Sequence, residues 1–136
     1  MKRISAILLF AALAGCVGFQ AKQTDMFTDE QGNIVTVTYG ELKKKVRTTF
    51  VSPNTKKPYN MTTALAVEVS LPDGSSFSAR QCYNPLPSGT MYISGNDKWL
   101  FRAMGLFCTV YRWNDRLNDY AEVFSGQICE GNTGEK

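Results

Sequence analysis

Four cysteines and no histidine define the chemistry open to this chain of 136 residues. Without an imidazole the chain lacks the commonest general base, the commonest metal ligand and the usual activator of a serine or cysteine nucleophile. Thiol chemistry remains. Cys82, Cys108 and Cys129 are disulfide candidates if the chain is exported, whereas Cys16 stands apart at the end of an apolar run near the start. A carboxylate pair such as Asp115 and Asp119 has the residue types for glycoside chemistry, yet it falls in the polar turn Asn114 to Asp119 with no aromatic cleft evident around it. No glycine-rich phosphate loop, zinc spacing or calcium loop is present. The chain is therefore expected to be no enzyme and to use neither cofactor nor metal.

The residues around Cys16 point to an address. Met1-Lys2-Arg3 precedes the apolar run Ile4 to Leu13, and small residues follow, which is the layout of a secretory signal too short to stay in a bilayer as a helix. Leu13-Ala14-Gly15-Cys16 resembles the lipobox of bacterial lipoproteins. The resemblance implies cleavage before Cys16 and acylation of its sulfur and new amino terminus. Residues 1–15 are then a signal peptide and residues 16–25 a lipidated tether without hydrophobic period. Residues 26–136 form a single domain on this reading. Val17, in place of an aspartate that retains lipoproteins at the inner membrane, resembles sorting to the outer membrane, with the domain facing the periplasm or cell surface.

Loss of the signal leaves 121 residues, 13 basic and 12 acidic, a net charge of +1. So small a charge offers nucleic acid little attraction, and no nucleic-acid partner is expected. The charges are uneven, with Lys43, Lys44, Lys45, Arg47, Lys56 and Lys57 in the first half and Asp115, Asp119, Glu122, Glu130 and Glu135 near the end. A basic cluster beside an anchor fits anionic head groups or an acidic partner, and equally the solvated edge of a hairpin.

The elements that must carry these residues read as strands. Asp29 to Asn33 is turn chemistry, and Ile34 to Tyr39 is a β-branched run that Gly40 ends or bends. Val46 to Val51 is a second run before Ser52-Pro53-Asn54. Leu65, Val67, Val69 and Leu71 alternate with Glu68 and Ser70, the pattern of a half-buried strand. Pro72-Asp73-Gly74 then predicts a hairpin with Ser76 to Gln81. Met91 to Ile93 and Trp99 to Phe101 form a second hairpin candidate, with a helix over Lys98 to Met104 as the competing reading. Leu106 to Trp113 returns through Tyr120 to Ile128. The whole predicts an all-β domain, a small antiparallel barrel or barrel-like sandwich of about seven or eight strands.

This pairing bears on the thiols. With Trp113 opposite Tyr120, Cys108 falls opposite Ser125, four residues short of Cys129. That is roughly 14 Å along a strand, whereas a disulfide needs Cα atoms within about 7 Å. The expected bond is Cys82 to Cys129, leaving Cys108 a buried thiol.

The segment Pro85-Leu86-Pro87-Ser88-Gly89-Thr90-Met91-Tyr92, after the Pro72-Asp73-Gly74 hairpin, carries a more specific signal. It resembles the membrane-bound and periplasmic inhibitors of c-type lysozyme, small exported β-barrels with a Ser-Gly-x-x-Tyr motif, here Ser88-Gly89-Thr90-Met91-Tyr92, followed by Gly95. Phe27 to Tyr39 looks like the family's opening strand pair, and Trp99, Thr109-Val110-Tyr111 and Cys129 fall in the order of its closing strands. The chain departs from the family at Asp29, where a cysteine is usual, and at Arg102, which stands near the place of a Lys-Gly pair. The resemblance implies that Ser88 hydrogen-bonds the catalytic carboxylates of a lysozyme, that Gly89 and Arg102 lie at the contact, and that Tyr92 braces the loop. Two prolines beside Ser88 would limit the entropy such a loop loses on entering a cleft. The alternative of a different class is a structural or assembly lipoprotein that holds another envelope protein through its β edges and the Lys43 to Arg47 patch.

Overall fold

A computed structural model describes residues 18–51, 56–83 and 89–129. The signal peptide, Cys16 and Ser88 lie outside the described residues. Among the described residues eight strands follow one another: β1 (Gln20–Thr28), β2 (Ile34–Val51), β3 (Pro58–Ser70), β4 (Ser76–Tyr83), β5 (Thr90–Ser94), β6 (Trp99–Met104), β7 (Phe107–Asn114) and β8 (Asp119–Ile128). Each pairs antiparallel with the next, and β8 returns to β1, so the sheet closes on itself as a barrel-like ring. The all-β expectation holds, and the helix considered for Lys98 to Met104 is strand β6. Among the described residues no helix is long and apolar enough to cross a membrane.

Local chemistry explains the turns. At Pro72-Asp73-Gly74 the Leu71 and Gly74 amides donate to Ser75 and Leu71 carbonyls, and the Asp73 carboxylate accepts the Ser75 amide at 2.9 Å. Between β5 and β6 the Ser94 hydroxyl donates to Asn96 at 2.6 Å and accepts the Trp99 amide at 3.0 Å. Alternation then directs Val35, Val37, Val67, Val69, Phe101, Val110 and Phe124 into the ring, where they meet Phe27 and Tyr92 in one core. Phe101 is fully buried between Tyr39 at 6.5 Å and Tyr92 at 5.9 Å, centroid to centroid. Burying such a ring stabilises by roughly 3 kcal/mol.

β2 departs from expectation. It does not end at Gly40 but runs on to Val51, because Gly40 keeps its place in the ladder opposite Ala66 and Ala21. A Cβ at Gly40 would collide with the Gln20 carbonyl and the Phe19 ring, so glycine here admits an aromatic side chain against the strand. The irregularity comes later. Glu41 pairs with Leu65 and Val46 with Thr63, so Leu42, Lys43, Lys44 and Lys45 all face the single residue Ala64. Residues 19–25 also differ from the tether expected over 16–25, since Phe19 is buried and Gln20 to Asp25 lie in β1 against β2.

Beyond that bulge the distal hairpin, Val46–Val51 with Pro58–Thr63, folds onto the outside of the ring. Phe50 packs with Cys82, Ile93 and Leu100, and Tyr59, Tyr83, Met91, Tyr111 and Tyr120 surround them. Ile93 and Leu100 pair with each other and follow or precede Tyr92 and Phe101, which point inward, so strand alternation places this second core on the outer face. The Thr63 hydroxyl fixes the bend, accepting the Leu65 amide at 3.0 Å and donating to Gln81 at 2.9 Å. β3 is buried on both faces from Ala66 to Val69. Val67 and Val69 face inward as expected, but Glu68 on the other face is only 6% exposed, opposite Thr38 and Ser78, and burial raises its pKa.

The Cys82–Cys129 bond is not formed: Cys82, Cys108 and Cys129 are all free thiols. Cys82 belongs to the outer core, beside the Tyr120 end of β8, whereas Cys129 follows the opposite end, where its amide donates to the Met26 carbonyl at 2.8 Å. Length separates the two, since about eight residues of strand span some 27 Å. Cys108 lies opposite Gly126, not Ser125, because a register shift between Val110 and Tyr111 moves the pairing by one residue.

Candidate functional site

The geometry around the Ser-Gly-x-x-Tyr segment starts at Gly89. It has φ +95°, which a side chain disfavours, and a Cβ there would collide with the Ala103 carbonyl and lie 3.0 Å from the Met104 Cβ. The chain therefore re-enters the sheet pressed against the last turn of β6, with Thr90 opposite Ala103. This places the residue after Ser88 at the rim formed by the β6–β7 hairpin.

That rim is apolar. Met104, Leu106 and Phe107 are 39%, 60% and 52% exposed, around the tight turn at Gly105. Met104 pairs with Phe107, and the Leu106 carbonyl accepts the Ile128 amide at 2.8 Å, so the tip is held by β8. Clustered exposed apolar side chains are a feature of surfaces that contact other molecules. Phe107 also lines a cleft of about 380 Å³ with Asp29 and Glu30 of the β1–β2 turn. Asp29 is fixed there: its carboxylate accepts the Asn33 side-chain amide at 3.0 Å and the Asn33 and Gln31 backbone amides at 2.8 and 3.0 Å. The Asn33 hydrogen bond is the main cause that holds its pKa below the ordinary carboxylate value, so the rim carries a negative charge beside its apolar tip.

The other candidates separate. Tyr92 is buried in the inner core, where burial raises its pKa, so it holds β5 and offers no surface to a partner. Arg102 sits between Met91 and Thr109, next in chain to inward-facing Phe101, and so lies half-buried on the outer wall one residue before Ala103. The structure thus brings Gly89 and Arg102 to the same end of β6. Trp99 belongs to the other end, stacked on Phe77 at 4.9 Å with the Arg112 guanidinium 5.1 Å from its ring centroid.

Asp115 and Asp119 act in their turn. Asp115 accepts the Trp113 indole N–H at 2.9 Å and Asp119 accepts the Tyr120 amide at 2.6 Å. Burial pushes the Cys82 and Cys108 thiols up to about 12, which leaves both protonated and unreactive near neutral pH. Among the described residues no cluster of carboxylates and thiols is arranged to hold a metal ion. Sequence reasoning missed Met104, Leu106 and Phe107. Their signal was present in Leu106-Phe107, where two large apolar residues follow a turn glycine and alternation sends at least one outward.

Set against known proteins, the chain matches no family model, no curated protein and no solved structure.

Proposed function

We propose that this protein is a lipid-anchored envelope inhibitor of c-type lysozyme that uses the β6–β7 rim and its Ser88-Gly89-Thr90-Met91-Tyr92 motif to block the enzyme's cleft. The observation that carries this reading is the packing of Gly89 on Ala103, which ties the motif to a rim of exposed Met104, Leu106 and Phe107. An apolar tip gives a protein partner buried area, and the fixed Asp29 carboxylate with Glu30 in the next cleft offers opposite charge to a basic enzyme. Ser88 would donate to a catalytic carboxylate, with Arg102 on the adjoining wall. Cys16 as the acylated residue would hold the domain at the outer membrane, where an attacking lysozyme arrives.

Purified protein mixed with c-type lysozyme in a cell-wall lysis assay should inhibit at micromolar concentration. No inhibition across several lysozymes would overturn the proposal. Ser88→Ala should weaken binding by about 1–3 kcal/mol, since it would leave a buried charged carboxylate without its hydrogen-bond donor. The exposed tip also supports a second reading, an assembly lipoprotein holding another envelope protein. Co-purification from the native envelope separates them: an assembly partner would come with the wild type and be lost with Leu106→Asp, whereas an inhibitor leaves its own cell alone.

A further inference from the structure

The Lys43–Lys44 bulge does more than bend β2. It roofs a cavity of about 490 Å³ on the outer face of β2–β4, whose lining includes Phe19, Lys43, Lys44, Ala66, Ser78 and Arg80. That volume is in the range of small-molecule sites. Its floor is apolar. Phe19 lies buried over Gly40, Ala66 is buried beside it in the ladder, and Leu42 and Val46 bracket the lysines. Its charged groups are of one sign: two lysines and an arginine, with no carboxylate lining the cavity among the described residues. Two acids lie next to the lining: exposed Glu41, which precedes Leu42 and pairs with Leu65, and Glu68, opposite Ser78, whose pKa burial raises. Arg80 itself is placed by the ladder, between Ala66 and Ile93.

We propose that this cavity binds an anionic single-chain amphiphile, a fatty-acid-like carboxylate whose chain lies on Phe19, Ala66, Leu42 and Val46 and whose head group meets Lys43, Lys44 and Arg80. A solvated lysine edge needs no apolar floor, and an apolar core needs no lysines. Finding both in one concavity is the chemistry of a ligand with one charged end. A bulge that sets four residues against one is how the chain places two ammonium groups over that floor. The site is distinct from the β6–β7 rim and does not depend on the lysozyme reading.

Titration calorimetry of the full chain carrying Cys16→Ser, so that no acyl group of its own competes, tests the proposal with laurate below its micelle concentration. Laurate should bind saturably, and dodecyltrimethylammonium, of the same length and opposite charge, about tenfold more weakly or not at all. Lys43→Gln with Arg80→Gln should weaken laurate about tenfold, while Lys45→Gln, in the same bulge but outside the lining, should leave it unchanged. Ser78→Trp, which fills the cavity from an exposed position, should abolish binding without changing the circular dichroism spectrum. Absence of saturable laurate binding, equal affinity for the cationic amphiphile, or a folded Ser78→Trp protein that still binds would each overturn it.

Discussion

The two cores of this protein are built from the same strands and differ in what holds them. The inner core takes residues from every strand of the ring, Phe27 to Phe124, and is closed by alternation alone. The outer core takes the opposite faces of β5 and β6 and needs a lid, the distal β2–β3 hairpin that brings Phe50 onto Ile93 and Leu100. The first is cooperative with the whole ring. The second hangs on one hairpin, bent at the Lys43–Lys45 bulge and fixed by Thr63 on Gln81. A barrel wall can therefore bury both faces without a helix, at the cost of making one core separable from the other.

Substitutions should expose that difference, beginning with Phe101→Ala in the inner core. It should cost about 3–5 kcal/mol and lower the midpoint of urea unfolding for the whole domain. Phe50→Ala should cost less, about 2–3 kcal/mol, because the hairpin can lift without opening the ring. Hydrogen exchange should then quicken in residues 46–63 while Val67, Val69 and Val110 stay protected; uniform loss of protection would show that the two cores are one. At the rim, Gly89→Ala should cost about 1–3 kcal/mol, since it combines positive φ with a collision on Ala103, and, on the proposed function, should reduce lysozyme inhibition. Gly74→Ala provides the comparison: it has φ +93° but open space around a Cβ, so it should cost about 1 kcal/mol and leave inhibition intact.

The thiols read each core separately. Cys82 marks the outer core and Cys108 the inner one, and both are pushed from an ordinary value near 9 to about 12. Between those values the folded protein holds protons that the unfolded chain releases. The stabilising contribution is therefore complete below about pH 9 and is lost as pH rises toward 12, which thermal melts across that range will follow. At pH 8 a thiol reagent should modify Cys82 faster than Cys108, through hairpin opening. Equal rates would mean that both wait for global unfolding.

Much of this was legible in the residues, and the reasons differ by element. Val67 and Val69 declared the inner face by alternation, and Pro72-Asp73-Gly74 declared its hairpin through turn chemistry that acts within four residues. Met91-Tyr92-Ile93 and Trp99-Leu100-Phe101 are apolar on both faces, the mark of a strand covered twice, but nothing nearby in the chain says by what. The cysteine pairing misled because it required knowing which end of β8 lies near Cys82 of β4, and that is the Tyr120 end, not the Cys129 end. Of the candidate site, Gly89 was legible as a motif residue. The rim of Met104, Leu106 and Phe107 was not, since exposure at a hairpin tip depends on what the closed ring leaves outside.

By itself the sequence determined an antiparallel meander, because turn residues and two-residue alternation are interactions between near neighbours in the chain. Only the tertiary structure decided that the meander closes through Phe27 opposite Ile128 and Thr28 opposite Gln127, and that the distal hairpin turns back over the wall. It also placed Phe19 with Lys43, Lys44 and Arg80 around one cavity. Each of these joins residues far apart in sequence, and their closeness follows from accumulated twist, one bulge and the packing of the whole ring, none of which a local pattern encodes.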